Sequence, residues 1–143
     1  MKSVLFLCVH NSARSQIAEA YCRLFGGNGI AAESAGLEPG VLNPYVVRAL
    51  AEDGIDISRK ATKSVFEMAK AGRSFDCVVT VCSKEAAERC PVFPGKAAVR
   101  LHWPFEDPST FAGTDGEVMA KVRAVRDAIK DKVREFVETE SGR

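Results

Sequence analysis

Apolar residues along the chain form either short continuous runs or longer stretches in which they recur every three or four positions. Ser3 to Val9 is a short apolar run, which is typical of a strand buried on both faces of a parallel sheet. From Arg14 the apolar residues follow helical spacing as far as Gly26 and Gly27, which are stop signals for a helix. The pattern therefore predicts a strand, a loop and a helix.

The same alternation continues through the middle of the chain. A short strand is predicted over Ile30 to Ser34, and a helix follows in which Asn43 suits the N-cap and Pro44 the first position. The further predicted elements are the end of that helix at Asp53 and Gly54, a short helix that opens with the Ser64-x-x-Glu67 capping box and ends before Gly72, a strand over Phe75 to Val81, a segment from Ser83 to Arg89 that could form a short helix, and a last strand over Ala98 to Leu101.

One long amphipathic helix is predicted after the Thr114-x-x-Glu117 capping box, and the tail from Glu138 is expected to fray. Its apolar stripe consists of Val118, Val122, Val125, Ile129, Val133 and Phe136. Strands that alternate with helices predict a single α/β domain over residues 1–143, with a parallel sheet and ligands at the carboxyl ends of its strands.

Composition excludes several classes of protein. Hydrophobic residues make up 46% and charged residues 27%, with a net charge of +1, so disorder and a general attraction to nucleic acid or a membrane are not expected. Charged residues follow the first apolar run too soon for a signal peptide, and no stretch approaches the ~20 apolar residues of a membrane span. We therefore expect a cytoplasmic location.

Five cysteines without a secretion signal indicate catalytic, metal or redox use rather than a static disulfide framework. The sequence contains no C-x-x-C, and its two histidines, His10 and His102, do not stand at a zinc-ligand spacing. We therefore expect no structural metal.

The strongest chemical signal is the loop between the first strand and the first helix, where five residues separate Cys8 from Arg14. A loop that enters a helix N-terminus directs several backbone N–H groups at one point, and the helix dipole favours negative charge there. Arg14 could add two charge-assisted hydrogen bonds to a bound anion. The predicted anion-binding residues are Val9, His10, Asn11, Ser12, Ala13, Arg14 and Ser15.

The same positive environment stabilises a thiolate, so we expect Cys8 to be a nucleophile near neutral pH. Asn11 could hold the loop backbone, because asparagine tolerates left-handed conformations, and Ser15 could donate to the Cys8 sulfur. In the alternative interpretation, Cys8 is a buried core thiol and Arg14 a solvated helix residue. The strand before this loop and the helix after it favour the functional interpretation.

In these motifs the sequence resembles the low-molecular-weight protein tyrosine phosphatases and, more closely, the thioredoxin-coupled arsenate reductases that share their fold. The resemblance implies a four-stranded parallel sheet flanked by helices, with Cys8 as nucleophile and Arg14 as anion ligand. It covers nearly the whole chain and is carried by the segments VLFLCVHNSARSQIAEA, ESAGLEP, GIDIS, VVTVCSKEAAERCPVFPG and LHWPFEDP.

A displacement at arsenate or phosphate expels an oxygen, and a positioned carboxylic acid that protonates it accelerates the step by ~10² to 10⁴-fold. The family's acid is an Asp-Pro pair, which selects Asp107 over Glu106 in the loop after the last strand. On the residues alone, Asp107 could equally cap a turn before Pro108. Phosphotyrosine-hydrolysing relatives usually continue with tyrosines, whereas Ser109-Thr110-Phe111 stands here, which weakens that interpretation.

Two further cysteines are candidates for redox chemistry. Cys82 lies where the third strand should end, and it could approach Cys8 if strands one and three are neighbours, since adjacent strands are ~5 Å apart. Cys90 stands eight positions further on. This arrangement resembles the reductases' triad, in which a disulfide passes outward for thioredoxin to reduce, although both residues could instead be small buried hydrophobes. Cys22 and Cys77 are assigned to packing.

Some of these reductases bind potassium beside the loop through residues that resemble Asn11, Glu19 and Ser34, completed by an aspartate. Lys63 stands at that fourth position here, and we predict that its ammonium contacts Glu19 in place of the ion.

The sequence is therefore interpreted as an arsenate reductase that needs no organic cofactor. Its expected partners are arsenate, with phosphate or sulfate as competing oxyanions, and thioredoxin. A phosphotyrosine-type phosphatase and a thiol-based redox or anion sensor are the alternatives.

Overall fold

The computed structural model describes residues 2–82 and 92–141 of the chain. Strands and helices alternate along it as the sequence predicts, and side chains of Asn43 and Ser64 cap the helices that follow them. The elements are β1 (Lys2–Cys8), α1 (Arg14–Gly26), β2 (Ile30–Gly36), α2 (Pro44–Ala51), α3 (Val65–Lys70), β3 (Ser74–Thr80), β4 (Lys96–His102) and α4 (Asp115–Ser141), with short 3₁₀ turns at Gly27–Gly29 and Pro108–Thr110.

The four strands form one parallel sheet in the order β2-β1-β3-β4. Cys8 pairs with Gly36 of β2, and Leu7 pairs with Thr80 of β3. The chain runs from β1 to β2 on one side and then crosses to β3 on the other, so β1 adjoins the switch point where ligands bind in open α/β sheets. The predicted fold class is confirmed, and Cys8 lies at the carboxyl end of β1.

Helices cover both faces of the sheet. Along β1 the side chains alternate, with Val4, Phe6 and Cys8 facing the core that α1 and α4 share, while Leu5 and Leu7 face α3. All six apolar residues predicted for the long helix are buried. A fully buried side chain of this size contributes about 1.5–3 kcal/mol, so burial on both faces of β1 stabilises the strand that leads into the Cys8–Arg14 loop.

The structure departs from the predictions at several element ends. Expected fraying from Glu138 is wrong, because α4 continues to Ser141, Val137 is buried, and Glu140 forms an ion pair with Lys2 at the start of β1. Strand β4 is longer than predicted. The possible short helix over residues 83–89 and the candidate Cys90 lie outside the described residues. In the part of the chain that the structure describes, no helix is long and apolar enough to cross a membrane.

Candidate active site

The Cys8–Arg14 loop leaves the end of β1 and enters α1, as the sequence predicts. Its carbonyl groups are held by the segment that follows β2, residues 37–43. Four hydrogen bonds join the two: Leu37 N to Cys8 O at 3.3 Å, Glu38 N to Val9 O at 2.9 Å, Gly40 N to His10 O at 3.0 Å, and Asn43 N to Ser12 O at 2.9 Å. In a trans peptide the N–H points opposite to the C=O, so these contacts turn the following N–H groups away from the 37–43 segment.

Gly36 lets the two backbones approach this closely. A Cβ atom there would lie 2.7 Å from the Asn11 nitrogen and 2.8 Å from the Val9 oxygen, distances that Cβ atoms essentially never show. Both neighbours are backbone atoms, which cannot move aside as the end of a side chain can. The position therefore requires glycine for its close approach to the loop rather than for its own φ.

Asn11 fixes the shape of the loop from the inside. It is fully buried and has φ 56°, the left-handed conformation expected for this residue. Its side-chain oxygen accepts from the backbone N–H of Lys63 at 2.9 Å and from Gln16 Nε2 at 3.2 Å, and its Nδ2 donates to Ser15 Oγ at 2.8 Å.

Ser15 connects this network to Cys8, the predicted nucleophile. Its Oγ lies 2.8 Å from the Cys8 sulfur, and both side chains are buried. Because Ser15 already accepts from Asn11, its own hydroxyl hydrogen is available to donate to a Cys8 thiolate. The geometry fits the supporting role predicted for Ser15.

Arg14 brings the predicted acid to the loop. The arginine is only 2% exposed, and its NH1 donates to the carbonyl of Phe105 at 3.1 Å. Its NH2 lies 3.7 Å from Asp107 Oδ2. Asp107 also accepts from the Ser109 N–H at 3.0 Å, which caps the 3₁₀ turn that follows. The predicted nucleophile, anion ligand and acid therefore lie at one edge of the sheet.

Cys82 lies beside the end of β1. Val81 donates its N–H to the Leu7 carbonyl at 2.9 Å, which extends the β1–β3 pairing one residue beyond the strand. Cys82 is fully buried and follows directly. Because Leu7 pairs with Thr80, Cys82 comes one position beyond the residue level with Cys8, at the same carboxyl edge of the sheet.

Cys22 and Cys77 lie in the core, in agreement with the packing role assigned to them. Burial raises the pKa of Cys22 to about 12 and that of Cys77 to about 11. Both therefore stay protonated near neutral pH.

Beneath the loop, the carboxylate of Glu19 is almost fully buried and surrounded by cations. The predicted contact with Lys63 is present, at 3.8 Å. Lys60, which sequence reasoning missed, is much closer at 2.5 Å, and Arg23 lies at 3.1 Å. Ser34 donates to the other carboxylate oxygen at 2.6 Å. Burial lowers the pKa of Lys63.

His10 stands apart from this network. Its side chain is exposed and its Nδ1 lies 3.0 Å from the Glu38 carbonyl, on the side of the 37–43 segment. In the described residues, no group of three or more His, Cys, Asp or Glu side chains is arranged to hold a metal ion.

Comparison with known proteins identifies the class. The family model for low molecular weight phosphotyrosine protein phosphatase matches residues 3–141. The chain belongs to this family.

Its relatives within the family include arsenate reductases. The chain is 41% identical over 138 residues to the arsenate reductase of Bacillus subtilis strain 168. The aligned region covers 96% of each protein. A solved arsenate reductase in its phosphate binding state matches with a TM-score of 0.77 and 30% identity, covering 97% of this chain and 98% of the other. The thioredoxin-dependent arsenate reductase of Corynebacterium glutamicum matches with a TM-score of 0.59 and 28% identity, covering 95% of this chain and 63% of the other.

The close approach at Gly36 generates a testable prediction. Gly36→Ala should displace the loop backbone and weaken phosphate binding by about tenfold or more, because small misplacements at such sites are costly. We expect phosphate to protect Cys8 from alkylation in the wild type and much less in the variant. Gly29→Ala is the matched control, since a Cβ there meets nothing within 4 Å. Equal protection in both variants would contradict the role of Gly36.

The cations around Glu19 generate a second prediction. The wild type should unfold at the same temperature in potassium and in sodium chloride, because ammonium groups already neutralise the carboxylate. Lys60→Met should reduce the free energy of unfolding by about 1–3 kcal/mol, since it uncovers a buried charge. Glu135→Gln is the control, because its 3.9 Å pair with Lys132 is exposed and should contribute under about 1 kcal/mol. Selective stabilisation of the wild type by potassium would contradict this interpretation.

Proposed function

We propose that this protein reduces arsenate to arsenite. The observation that carries the proposal is a second thiol at the same edge of the sheet: Cys82 follows the end of β3, which pairs with the end of β1 that carries Cys8. A hydrolytic phosphatase needs only the nucleophile, the anion ligand and the acid, whereas a reductase needs a thiol to supply electrons. Similarity to curated arsenate reductases over 96% of the chain supports the same activity.

The reaction begins with Cys8. Its thiolate attacks the arsenic of an arsenate that the loop N–H groups and Arg14 hold, and a sulfur–arsenic bond forms. Asp107 donates a proton to the departing oxygen, which leaves as water. Arsenic is still pentavalent at this stage. The phosphate binding state of a solved relative supports an oxyanion of this shape as the ligand.

Reduction follows when the Cys82 thiolate attacks the Cys8 sulfur. A Cys8–Cys82 disulfide forms, the sulfur–arsenic bond breaks, and its electron pair passes to arsenic, which leaves as trivalent arsenite. Cys90 then attacks Cys82 and releases Cys8 as a thiolate. An external dithiol reduces the Cys82–Cys90 disulfide by exchange, so the protein requires no organic cofactor.

Thioredoxin is the proposed reductant, supported by the thioredoxin-dependent relative from Corynebacterium glutamicum. A cytoplasmic location, where dithiol reductants are maintained, fits this cycle and stays a prediction.

A coupled assay tests the function. We expect arsenate to drive consumption of reduced thioredoxin, and Cys8→Ser to abolish it, because the nucleophile is lost. Hydrolysis of p-nitrophenyl phosphate is measured beside it. Fast hydrolysis without arsenate-dependent thioredoxin oxidation would identify a phosphatase. If oxyanions protect Cys8 but the protein catalyses neither arsenate-dependent thioredoxin oxidation nor hydrolysis, it is a sensor. Either result would overturn the proposal.

The thiol relay has its own test. In rapid-quench experiments without thioredoxin, Cys90→Ser should release about one arsenite per enzyme and trap a Cys8–Cys82 disulfide, because only the last exchange is blocked. Cys82→Ser should release almost none. Cys77→Ala, which removes a core thiol, is the control and should retain turnover. Sustained thioredoxin-coupled turnover by Cys90→Ser would refute the relay.

A further inference from the structure

Asn43 connects three parts of the molecule. Its backbone N–H donates to the carbonyl of Ser12 in the Cys8–Arg14 loop at 2.9 Å. Its side-chain oxygen caps α2, where it accepts from the N–H of Tyr45 at 2.9 Å. Its Nδ2 donates to the hydroxyl of Ser109 at 3.1 Å. The residue is only 8% exposed, and both the oxygen and the nitrogen of its side-chain amide form hydrogen bonds.

Ser109 connects this asparagine to the candidate acid. It follows Asp107 and Pro108, and its backbone N–H donates to Asp107 Oδ1 at 3.0 Å. The other oxygen of Asp107 lies 3.7 Å from Arg14 NH2. Two hydrogen bonds therefore link the amide of Asn43 to the carboxylate of Asp107.

We propose that Asn43 is a positioning residue that holds the acid over the Cys8–Arg14 loop through Ser109. The inference rests on the proposed function, in which Asp107 donates a proton. In the present geometry Arg14 attracts Asp107, but a bound oxyanion competes for the same guanidinium. The Asn43–Ser109 hydrogen bond does not involve the anion, so it keeps the acid in place when the arginine turns to the substrate.

The choice of asparagine fits this role. A helix N-cap can equally be serine, threonine or aspartate, because capping needs only an acceptor oxygen. Asparagine adds an N–H donor on the same short side chain, and that donor reaches the 103–110 loop. If Asn43 were a cap alone, Asn43→Ser would preserve its contribution and Ser109→Ala would change nothing.

The decisive measurement is single-turnover release of arsenite at saturating arsenate. Asn43→Ser keeps the cap and the backbone contact but cannot reach Ser109, and Ser109→Ala removes the acceptor at an exposed position. Each should lower the rate by about 2- to 10-fold, the range expected for one hydrogen bond, and the double variant should be no slower than either. Phosphate protection of Cys8 should stay within about twofold of wild type, because binding does not require the acid.

Thr62→Val is the matched control. It removes a side-chain hydrogen bond of 2.7 Å to the Gly40 carbonyl, on the same 37–43 segment but away from the acid. It should leave the rate unchanged. Equal slowing by Thr62→Val, or additive effects of Asn43→Ser and Ser109→Ala, would assign the loss to general loosening and overturn the proposal.

Hydrogen exchange separates this proposal from the proposed function. The amides of Thr110 and Phe111 bond within the 3₁₀ turn, and they should exchange faster in Asn43→Ser and Ser109→Ala but not in Thr62→Val. If the wild type releases no arsenite, the proposed function fails, and exchange alone still decides whether Asn43 holds the loop. If Asp107→Asn slows arsenite release while both variants match wild type in rate and exchange, only the positioning role is overturned.

Discussion

The site depends on one constraint: a loop that binds an anion through its N–H groups must satisfy its carbonyl oxygens elsewhere. The 37–43 segment meets this requirement with four hydrogen bonds to the loop carbonyls, and it can do so because Gly36 brings the two backbones together. Since β1 and β2 pair along their full length, the segment that follows β2 arrives beside the loop in fixed register. The sheet therefore fixes the shape of the loop in advance of the anion binding that we propose for it.

Charge beneath the loop acts in the same direction. Glu19 is a single buried carboxylate. Its oxygens lie within 3.8 Å of the side-chain nitrogens of three cations, Lys60, Lys63 and Arg23. Three cations around one carboxylate leave an excess of positive charge there, which favours the proposed binding of an anion by the loop. The backbone N–H of Lys63 also donates to Asn11, so the segment that supplies this charge holds the loop as well. Lys63 thus helps to hold the shape of the loop and also contributes to the positive charge beside it.

Periodicity was sufficient to predict the layers of the fold, because strands that are buried on both faces and a helix with one apolar stripe leave distinct patterns. The cysteine, the arginine and the strand–loop–helix context were sufficient to predict the Cys8–Arg14 loop. Contacts between distant segments were not predictable in this way. Which of two nearby lysines lies closer to Glu19 depends on the path of the chain before α3, and the pairing of Lys2 with Glu140 depends on where α4 ends against the sheet. Neither leaves a periodic signal.

The proposed relay uses three of the five cysteines, and it requires that the other two do not react. Only the thiolate attacks in disulfide exchange. With a pKa of about 12, Cys22 is ionised to roughly one part in 10⁵ at pH 7, and Cys77, with a pKa of about 11, to roughly one part in 10⁴. Cys8 is buried as well, but the hydroxyl of Ser15 lies 2.8 Å from its sulfur, and the loop that follows Cys8 leads into the N-terminus of α1. Burial therefore keeps the two core thiols protonated, whereas the proposed nucleophile has a hydroxyl group beside its sulfur and a helix N-terminus after its loop.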